Sequence, residues 1–237
     1  LNYVKLRLVM AYIVLVDDDI SVLRPLTEQL ESEGHKVSAF QSSLKASNFL
    51  NENDCYLAIF DIKMPELNGH QLLKKVRLKK PVLPIIFLSS KNEEQDELIG
   101  FTLGADDYIT KPFSKHLLLA RVTAVLRRHE TNIPDLETKT IKTSELEIDK
   151  ERHLVTWQKK PVNLTVTESM LLLSLAKRPG LVKSRSQLMD AAYDGTIYVS
   201  DRTIDSHVRN IRNKLKQVDP SCDIISTVHG LGYKLKV

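Results

Sequence analysis

Five short apolar runs in the first half of the chain alternate with longer stretches whose apolar residues recur at helical spacing. Strands that alternate with helices in this way form a parallel sheet with helices on both faces. We therefore predict an α/β domain of the doubly wound (βα)₅ type over residues 11–129. Its predicted strands are Tyr12–Val16, Val37–Phe40, Leu57–Phe60, Ile85–Leu88 and Tyr108–Thr110.

The pattern changes after residue 129. Residues 130–142 are polar, contain Pro134 and have no apolar period, which predicts a linker. A second domain of α+β type is then predicted over residues 143–237, because short alternating segments give way to helical ones and a hairpin ends the chain. The predicted elements are strands Leu146–Ile148, Leu154–Thr156 and Val162–Leu164, helices Glu168–Lys177 and Ser186–Tyr193, and a hairpin from Ile224–Gly230 to Tyr233–Val237.

Composition excludes several classes of protein. The chain has 237 residues, of which 42% are hydrophobic and 27% charged, so we expect a globular protein and not a disordered one. Cys55 and Cys222 are too far apart for a zinc or redox motif, which fits a reducing cytoplasm. The apolar run Leu8–Val16 ends in three aspartates, so we expect neither a signal peptide nor a membrane helix there.

Polar side chains directly follow four of the five predicted strands. Because the carboxyl ends of parallel strands meet at one edge of a sheet, these side chains should line a single crevice. They are Asp17, Asp18, Asp61, Ser89 and Lys111. Three close carboxylates repel each other, and Mg²⁺ would relieve this repulsion. With a lysine as fixed positive charge, the crevice suits stabilisation of a transferring phosphoryl group.

A different chemistry is also open. Asp17-x-Asp19-x-Ser21 after a buried strand resembles the nucleophile motif of haloacid-dehalogenase-type phosphatases. In that interpretation Asp18 has no role, and the sequence lacks the flap that such enzymes place after the first strand. Asp19 is instead expected to begin a helix, where an acid favours the helix dipole.

A basic amphipathic helix is predicted in the second domain, where residues 202–216 carry five Lys/Arg against one acid. Its apolar stripe is Ile204, Val208, Ile211 and Leu215, and Asp201 is the expected N-cap. Cations and amides on the opposite face suit a helix that lies in a DNA major groove, within a winged helix-turn-helix. That face carries Arg202, Ser206, Arg209 and Asn213, with Asn210 and Lys216 beside it.

Motifs throughout the first domain resemble a response-regulator receiver domain: VDDD at 16–19, DIKMP at 61–65, LSS at 88–90 and GADDYITKPF at 104–113. The resemblance implies that Asp61 is the phosphoacceptor, which attacks the phosphohistidine of a sensor histidine kinase and becomes an acyl phosphate.

The same resemblance assigns the rest of the crevice. Mg²⁺ would be bound by Asp18, Asp61 and the backbone carbonyl of Lys63, with Asp17 acting through water. Lys111 would contact the phosphoryl group, and Ser89 and Tyr108 would form the switch pair.

The second domain resembles the effector domain of OmpR/PhoB-type regulators, through LTVTE at 164–168, SRSQLMD at 184–190, DRTIDSHVRNIRNKL at 201–215 and HGLGYKL at 229–235. The ChvI type is nearest, judging from residues 96–114 and 189–208. Double-stranded DNA and RNA polymerase are the implied partners. The candidate DNA contacts are Arg202, Thr203, Ser206, Arg209, Asn210, Arg212 and Asn213 on the helix and Thr227, His229 and Tyr233 in the hairpin.

The family resemblance also implies a homodimer on phosphorylation. Its face would be formed by the fourth helix, fifth strand and fifth helix of the receiver, with Asp106, Asp107 and Arg121 among its charges. Glu97 and Leu117 interrupt an ion pair that many relatives use there, and Asn210 and His229 stand where basic residues are common.

Three functions follow as hypotheses. The first is a transcription factor controlled by phosphorylation, which is not an enzyme apart from its own phosphoryl transfer and dephosphorylation. The second is a phosphatase, and the third is a regulator-like adaptor that no longer depends on phosphate. The intact acids and lysine favour the first.

Overall fold

The structure is a computed structural model. It describes residues 10–90, 100–101, 103–130, 140–143, 145–150, 152–193 and 201–236. Glu97 therefore lies outside the described residues, as does Val237 at the end of the predicted hairpin.

A five-stranded parallel sheet forms the first domain, as predicted. Its strands are β1 (Tyr12–Val16), β2 (Lys36–Phe40), β3 (Leu57–Asp61), β4 (Ile85–Ser90) and β5 (Asp107–Lys111). They lie in the order β2-β1-β3-β4-β5, all parallel. After β2 the chain returns past β1 to β3 and then continues outward to β4 and β5. This reversal of the strand order leaves a crevice at the carboxyl ends of β1, β3 and β4.

Helices cover both faces of this sheet. They are Ile20–Ser32, Ser43–Glu52, Gly69–Lys79 and Lys115–Glu130. Side chains cap the first three at Asp19, Ser42 and Asn68, each accepting a hydrogen bond from a backbone N–H of the first turn. Gly100 and Phe101 are also helical. One apolar cluster packs on each face of the sheet, around Phe60 and Phe87 on one side and Ile59 and Leu88 on the other.

The second domain begins with an antiparallel sheet of four strands, β6 (Thr140–Thr143), β7 (Leu146–Asp149), β8 (Leu154–Trp157) and β9 (Lys160–Val162). The predicted linker is shorter at both ends, because Glu130 is still helical and β6 begins at Thr140. The strand predicted at Val162–Leu164 is found earlier, as β9, which ends at Val162. Thr165 already caps the next helix there, in a capping box with Glu168.

Three helices and a hairpin complete this domain. The helices are Val166–Ala176, Arg185–Tyr193 and Asp201–Val218, and the hairpin strands are β10 (Ile225–Val228) and β11 (Gly232–Leu235). We call Asp201–Val218 the recognition helix. Asp201 is its first helical residue and not its N-cap. Within the described part of the chain, no helix is long and apolar enough to cross a membrane.

The hairpin depends on one glycine. Gly232 has φ 143°, and a Cβ there would lie 2.0 Å from the carbonyl oxygen of Lys183. This close approach lets the backbones of Lys183 and Tyr233 exchange two hydrogen bonds, which tie the hairpin to the segment before the Arg185–Tyr193 helix. Gly232 therefore fixes the position of the hairpin relative to the helices.

Gly232→Ala should lower the free energy of unfolding by about 2 kcal/mol or more, because both the strained φ and the clash oppose an added methyl group. Gly230→Ala is the matched control: its φ is 74°, but nothing lies within 4 Å of the added Cβ, so only about 1 kcal/mol should be lost. Urea unfolding of both variants measures the difference, and equal losses would contradict the close packing at Gly232.

Candidate phosphoacceptor site and DNA-binding surface

The predicted crevice is present at the carboxyl edge of the parallel sheet. Asp17, Asp61 and Ser89 are 1%, 6% and 1% exposed, respectively. The strand register accounts for this placement, since Asp61 pairs with Leu88 and Ser89 is the next residue of β4. Asp18 is exposed at the rim of the crevice, and its backbone carbonyl accepts a hydrogen bond from Gln41.

Lys111 joins the two buried carboxylates. Its Nζ lies 2.7 Å from Oδ2 of Asp17 and 2.5 Å from Oδ1 of Asp61. The adjacent Lys111–Pro112 peptide bond is cis. One ammonium thus balances part of the negative charge of two acids at the end of β5.

Burial and ion pairing have opposite effects on the pKa of Asp61, and also on the pKa of Lys111. Burial raises the pKa of Asp61, and the hydrogen bond from Lys111 offsets only part of that rise. Burial alone would lower the pKa of Lys111, but hydrogen bonds to Asp17 and Asp61 outweigh it and the pKa of the amine is raised. Lys111 therefore stays charged, while Asp61 carries its charge at a cost.

The two predicted switch residues differ in their surroundings. Ser89 Oγ is buried and has no hydrogen-bond partner among the described residues. Tyr108 is 5% exposed, with its ring packed between those of Phe87 and Phe101. Its hydroxyl lies 3.4 Å from Nε2 of His70. A buried, unsatisfied hydroxyl is costly, so Ser89 is poised to donate to an oxygen that enters the crevice.

Asp19 is not part of the crevice. Its carboxylate accepts a hydrogen bond from the backbone N–H of Ser21 and caps the Ile20–Ser32 helix. Hydrogen bonds from the side chain and from the backbone of Ser21 lower the pKa of Asp19. Its own N–H donates to Asp17 Oδ1 at 3.0 Å. The helix starts directly after it, so no room for a flap exists between β1 and the helix. These features oppose the phosphatase hypothesis.

The predicted DNA-reading face of the recognition helix is only partly exposed. Arg202, Arg209 and Asn213 are exposed, as predicted. Thr203, Ser206 and Asn210 are instead buried, with 4%, 6% and 7% exposed. The apolar stripe of Ile204, Val208, Ile211 and Leu215 is buried in the domain core as expected.

The predicted contacts at the hairpin divide in the same way. Thr227 and His229 are exposed, whereas Tyr233 is 5% exposed and donates its hydroxyl to Asp205. Arg212 donates to the carbonyl of Ile225 and to Oγ1 of Thr227, both at 2.8 Å. Arg212 thereby holds the hairpin to the recognition helix.

Both halves of the chain match known families. The response regulator receiver domain matches residues 13–123, and the C-terminal domain of transcriptional regulatory proteins matches residues 159–235. The transcriptional regulatory protein SrrA of Staphylococcus aureus is 38% identical over 230 residues, which cover 95% of each chain. The OmpR/PhoB homologue DrrB of Thermotoga maritima is 29% identical, with a TM-score of 0.50 over 96% of this chain and all of DrrB.

The chain belongs to the OmpR/PhoB-type response regulators. It is a two-component response regulator with a receiver domain and a winged-helix, DNA-binding domain that regulates transcription. This confirms the predicted family and fold class and excludes the phosphatase hypothesis. The nearer resemblance to the ChvI type stays a prediction.

A further solved structure superposes over nearly the whole chain. A point mutant of RitR is 25% identical, with a TM-score of 0.74 that covers 95% of this chain and 98% of that one.

The effector domain covers part of the predicted dimer face in this response regulator. Asp106 is 1% exposed and accepts a hydrogen bond from Thr167 of the effector domain at 3.2 Å. Asp107 is fully buried and pairs with Arg121 inside the receiver. Ala124 packs into the apolar core of the effector domain. The three predicted residues therefore do not form an open charged surface here.

The residues that join the two domains are not predicted by the sequence pattern. Asn210 donates from Nδ2 to the carbonyl oxygen of Phe101 at 2.8 Å, and the ring of Phe101 lies against that of His207. The one signal in the sequence is Asn210 itself, where the resemblance to OmpR/PhoB-type regulators leads us to expect a basic residue. A periodicity analysis assigns Asn210 to a polar face but does not show that another domain covers that face.

Asp61→Asn should stabilise the metal-free protein at neutral pH, because burial raises the pKa of Asp61 and folding therefore penalises its charge. The gain should disappear in acid, where Asp61 is protonated in the wild type. Asp54→Asn is the control, since Asp54 is exposed and its pKa is lowered by Lys80; it should not stabilise. Thermal unfolding in EDTA tests this, and a less stable Asp61→Asn variant would show that the ion pair with Lys111 outweighs burial.

Proposed function

We propose that this response regulator accepts a phosphoryl group on Asp61 from a sensor histidine kinase, and that phosphorylation controls its binding to specific sequences of double-stranded DNA. The observation that carries the proposal is the ammonium of Lys111 between Asp17 and Asp61, close to the unpaired hydroxyl of Ser89 in the same crevice.

The chemistry needs a carboxylate nucleophile and groups that stabilise the transferring phosphoryl oxygens. In the proposed step an Asp61 oxygen forms a bond to phosphorus as the bond from phosphorus to the histidine nitrogen breaks, and that nitrogen keeps the electron pair. Lys111 can shift from the carboxylates to a phosphoryl oxygen, and Ser89 can donate to another. Hydrolysis of the acyl phosphate by water returns Asp61 to the carboxylate.

Receiver domains generally bind Mg²⁺ at the phosphorylation site. The donors of this chain fit that ion, which prefers one or two carboxylates with waters and phosphate oxygens. Asp18, Asp61 and the carbonyl of Lys63 would hold it, with Asp17 through water. Among the described residues no three side chains form a ready-made metal cage. When bound, Mg²⁺ would offset the negative charge of the acids and of the incoming phosphate.

A cleft beside the crevice supports the kinase as partner. It is an open groove of about 510 Å³ between the Ile20–Ser32 helix and the loop after β5, and it reaches Lys111. Val22, Pro25, Leu26 and Phe113 give it an apolar lining. An apolar side chain of the kinase would be held there while its phosphohistidine faces Asp61. The free thiols of Cys55 and Cys222 fit the reducing cytoplasm in which such a kinase domain works.

The DNA-binding part of the proposal is supported by charge and shape. Arg202, Arg209 and Asn213 lie exposed on one helix, and Thr227 and His229 lie exposed in the hairpin beside it. Such groups bind phosphates and base edges of a duplex. Asn210 would join them only after the recognition helix leaves the receiver, because its side chain donates to the carbonyl of Phe101. Thr203 and Ser206 are buried and stay predicted contacts. Contact with RNA polymerase stays a prediction without assigned residues.

Dimerisation on phosphorylation is part of the same proposal. Two receivers would pair through the face that contains Asp106, Asp107 and Arg121. Because the effector domain covers part of this face, the two domains of each copy would have to separate first.

Asp61→Asn should abolish covalent labelling by a small-molecule phosphodonor, and labelling of the wild type should require Mg²⁺, because the acids otherwise repel the donor. A phosphate-affinity gel of the full chain measures it. Asp19→Asn is the control and should still be labelled, since Asp19 caps a helix. Label that persists on Asp61→Asn would refute the phosphoacceptor assignment. Equal DNA binding by labelled and unlabelled wild type would favour the phosphate-independent adaptor.

Arg209→Ala should weaken DNA binding of the phosphorylated chain by about 1 to 3 kcal/mol if Arg209 contacts a base edge. If it contacts only phosphate, the slope of log affinity against log salt should fall by about one unit. Arg24→Ala is the control, because Arg24 is exposed on the receiver. Fluorescence anisotropy over a salt series measures both quantities. Unchanged affinity and slope in an Arg202→Ala, Arg209→Ala double variant would mean that this helix does not bind DNA.

A further inference from the structure

One helix of the receiver carries charge of a single sign. The Gly69–Lys79 helix contains the cations Lys74, Lys75, Arg77 and Lys79 and no acid. Pairs of opposite charge three or four residues apart stabilise a helix, whereas like charges at that spacing repel each other. The helix offers its own cations no acid, and two of them, Lys75 and Lys79, are four residues apart.

Three of these cations lie on the exposed side of the helix. They are Lys74, Lys75 and Lys79, which we call the lysine face. Leu78 lies among them and is 86% exposed. None of the three lysines forms an ion pair with another residue that the structure describes. A polyanion bound to the lysine face would therefore relieve a repulsion that the folded receiver leaves in place.

The helix dipole accounts for only part of this pattern. Cations are favoured in the last turn of a helix, which explains Lys79. Lys74 and Lys75 are the sixth and seventh residues of the eleven in this helix, before its last turn. The dipole acts only within the first and last turns, so these two lysines need another reason.

Arg77, the fourth cation, connects this helix to the effector domain. It donates to the carbonyl of Gly104 at 2.6 Å and to Asp106 at 3.3 Å. Asp106 in turn accepts a hydrogen bond from Thr167 of the effector domain. Burial lowers the pKa of Arg77, and the charges of Asp106 and of Glu168 in the effector domain offset part of this change. The Gly69–Lys79 helix therefore lies at the border between the two domains.

The recognition helix reaches the same border. Lys214 Nζ lies 2.6 Å from Oε2 of Glu168, the acid that also acts on Arg77. The two buried acids Asp106 and Glu168 thus balance Arg77 and Lys214, and neither is left to balance the lysine face. Asn213, the residue before Lys214, is exposed on the predicted DNA-reading face. That face therefore begins beside the border at which the Gly69–Lys79 helix lies.

We propose that the lysine face is a second DNA-binding surface, through which the receiver contacts the phosphate backbone of the duplex that the recognition helix binds. The inference rests on the proposed DNA binding and extends it to the receiver. A duplex is the polyanion that the recognition helix brings to this border, and it carries one charge per about 1.7 Å of its axis. The lysines contact phosphates and not bases, so the contact does not depend on sequence. It does not require a phosphoryl group on Asp61 either, because the lysine face is exposed in the arrangement of the domains described above.

The test variant removes the charge of the lysine face in the full chain, by Lys74→Gln, Lys75→Gln and Lys79→Gln together. Glutamine has a similar helix propensity to lysine, so the helix is retained. The matched control removes three exposed cations elsewhere on the receiver, by Arg24→Gln, Lys36→Gln and Lys45→Gln. Both proteins then have the same net charge. The probe is a fluorescein-labelled duplex of about 30 base pairs and arbitrary sequence, and its anisotropy is measured over a salt series with untreated protein.

The slope of log affinity against log salt should be about 2.7 units shallower for the test variant than for wild type, because each lost phosphate contact removes about 0.9 units. The difference in affinity between the two proteins should therefore widen about 40-fold as the salt falls from about 200 to 50 mM. The control should keep the slope of wild type. Leu78→Ser should keep it too, because a contact between lysines and phosphates does not need Leu78.

Equal slopes for wild type, test variant and control would overturn the proposal, as would wild type that binds no duplex at about 50 mM salt. Binding to phosphatidylserine vesicles that both the test variant and Leu78→Ser lose, with unchanged slopes on DNA, would assign the lysine face to an anionic lipid surface instead. The proposed function fails by a different result: beryllofluoride-treated wild type would select no sequence from a random library. The slopes on the arbitrary duplex would still decide the role of the lysine face.

Discussion

The ammonium of Lys111 is the interaction on which the crevice depends. It ends β5 between Asp17 at the end of β1 and Asp61 at the end of β3, and lies within hydrogen-bonding distance of both. Two buried carboxylates with one cation remain net negative, and the exposed Asp18 adds to that charge. The parallel sheet can hold these groups together because its helices and register fix their backbones. The carboxylates therefore still repel each other in the folded protein, and a bound cation and a phosphoryl group can relieve this repulsion.

The sequence predicts this part of the molecule well for a physical reason. Parallel strands are apolar runs that end at one edge, so the residues that follow Val16, Phe60 and Leu88 must meet there. The apolar stripe of the recognition helix follows in the same way from its spacing. The sequence does not predict the ends of the strands as well. For example, β6 starts inside the predicted linker, because Thr140 pairs with Asp149 across a hairpin that no local sequence pattern marks.

The contacts between the domains could not be predicted from the sequence. The spacing of apolar residues shows which residues avoid water, but it does not show which groups cover the polar residues. Asn210 and Thr167 are polar, so their sequence pattern indicates exposure. Their burial depends on a carbonyl at Phe101 and a carboxylate at Asp106, which are 109 and 61 residues away in the chain. Polar groups at an interface lose little when the interface opens, because water replaces each partner. The polar character of these contacts is therefore what a separable pair of domains requires.

In the described part of the chain, the contacts between the two domains are few, and each is weak. A typical hydrogen bond contributes about 0.5 to 1.5 kcal/mol net, one to a charged group about 1.5 to 3, and an aromatic pair about 0.5 to 1.5. The contacts of Asn210, Thr167 and His207 together are then of the same order as the roughly 5.5 kcal/mol that moves a two-state equilibrium from 1:99 to 99:1. A change of a few kcal/mol is therefore enough to separate the two domains.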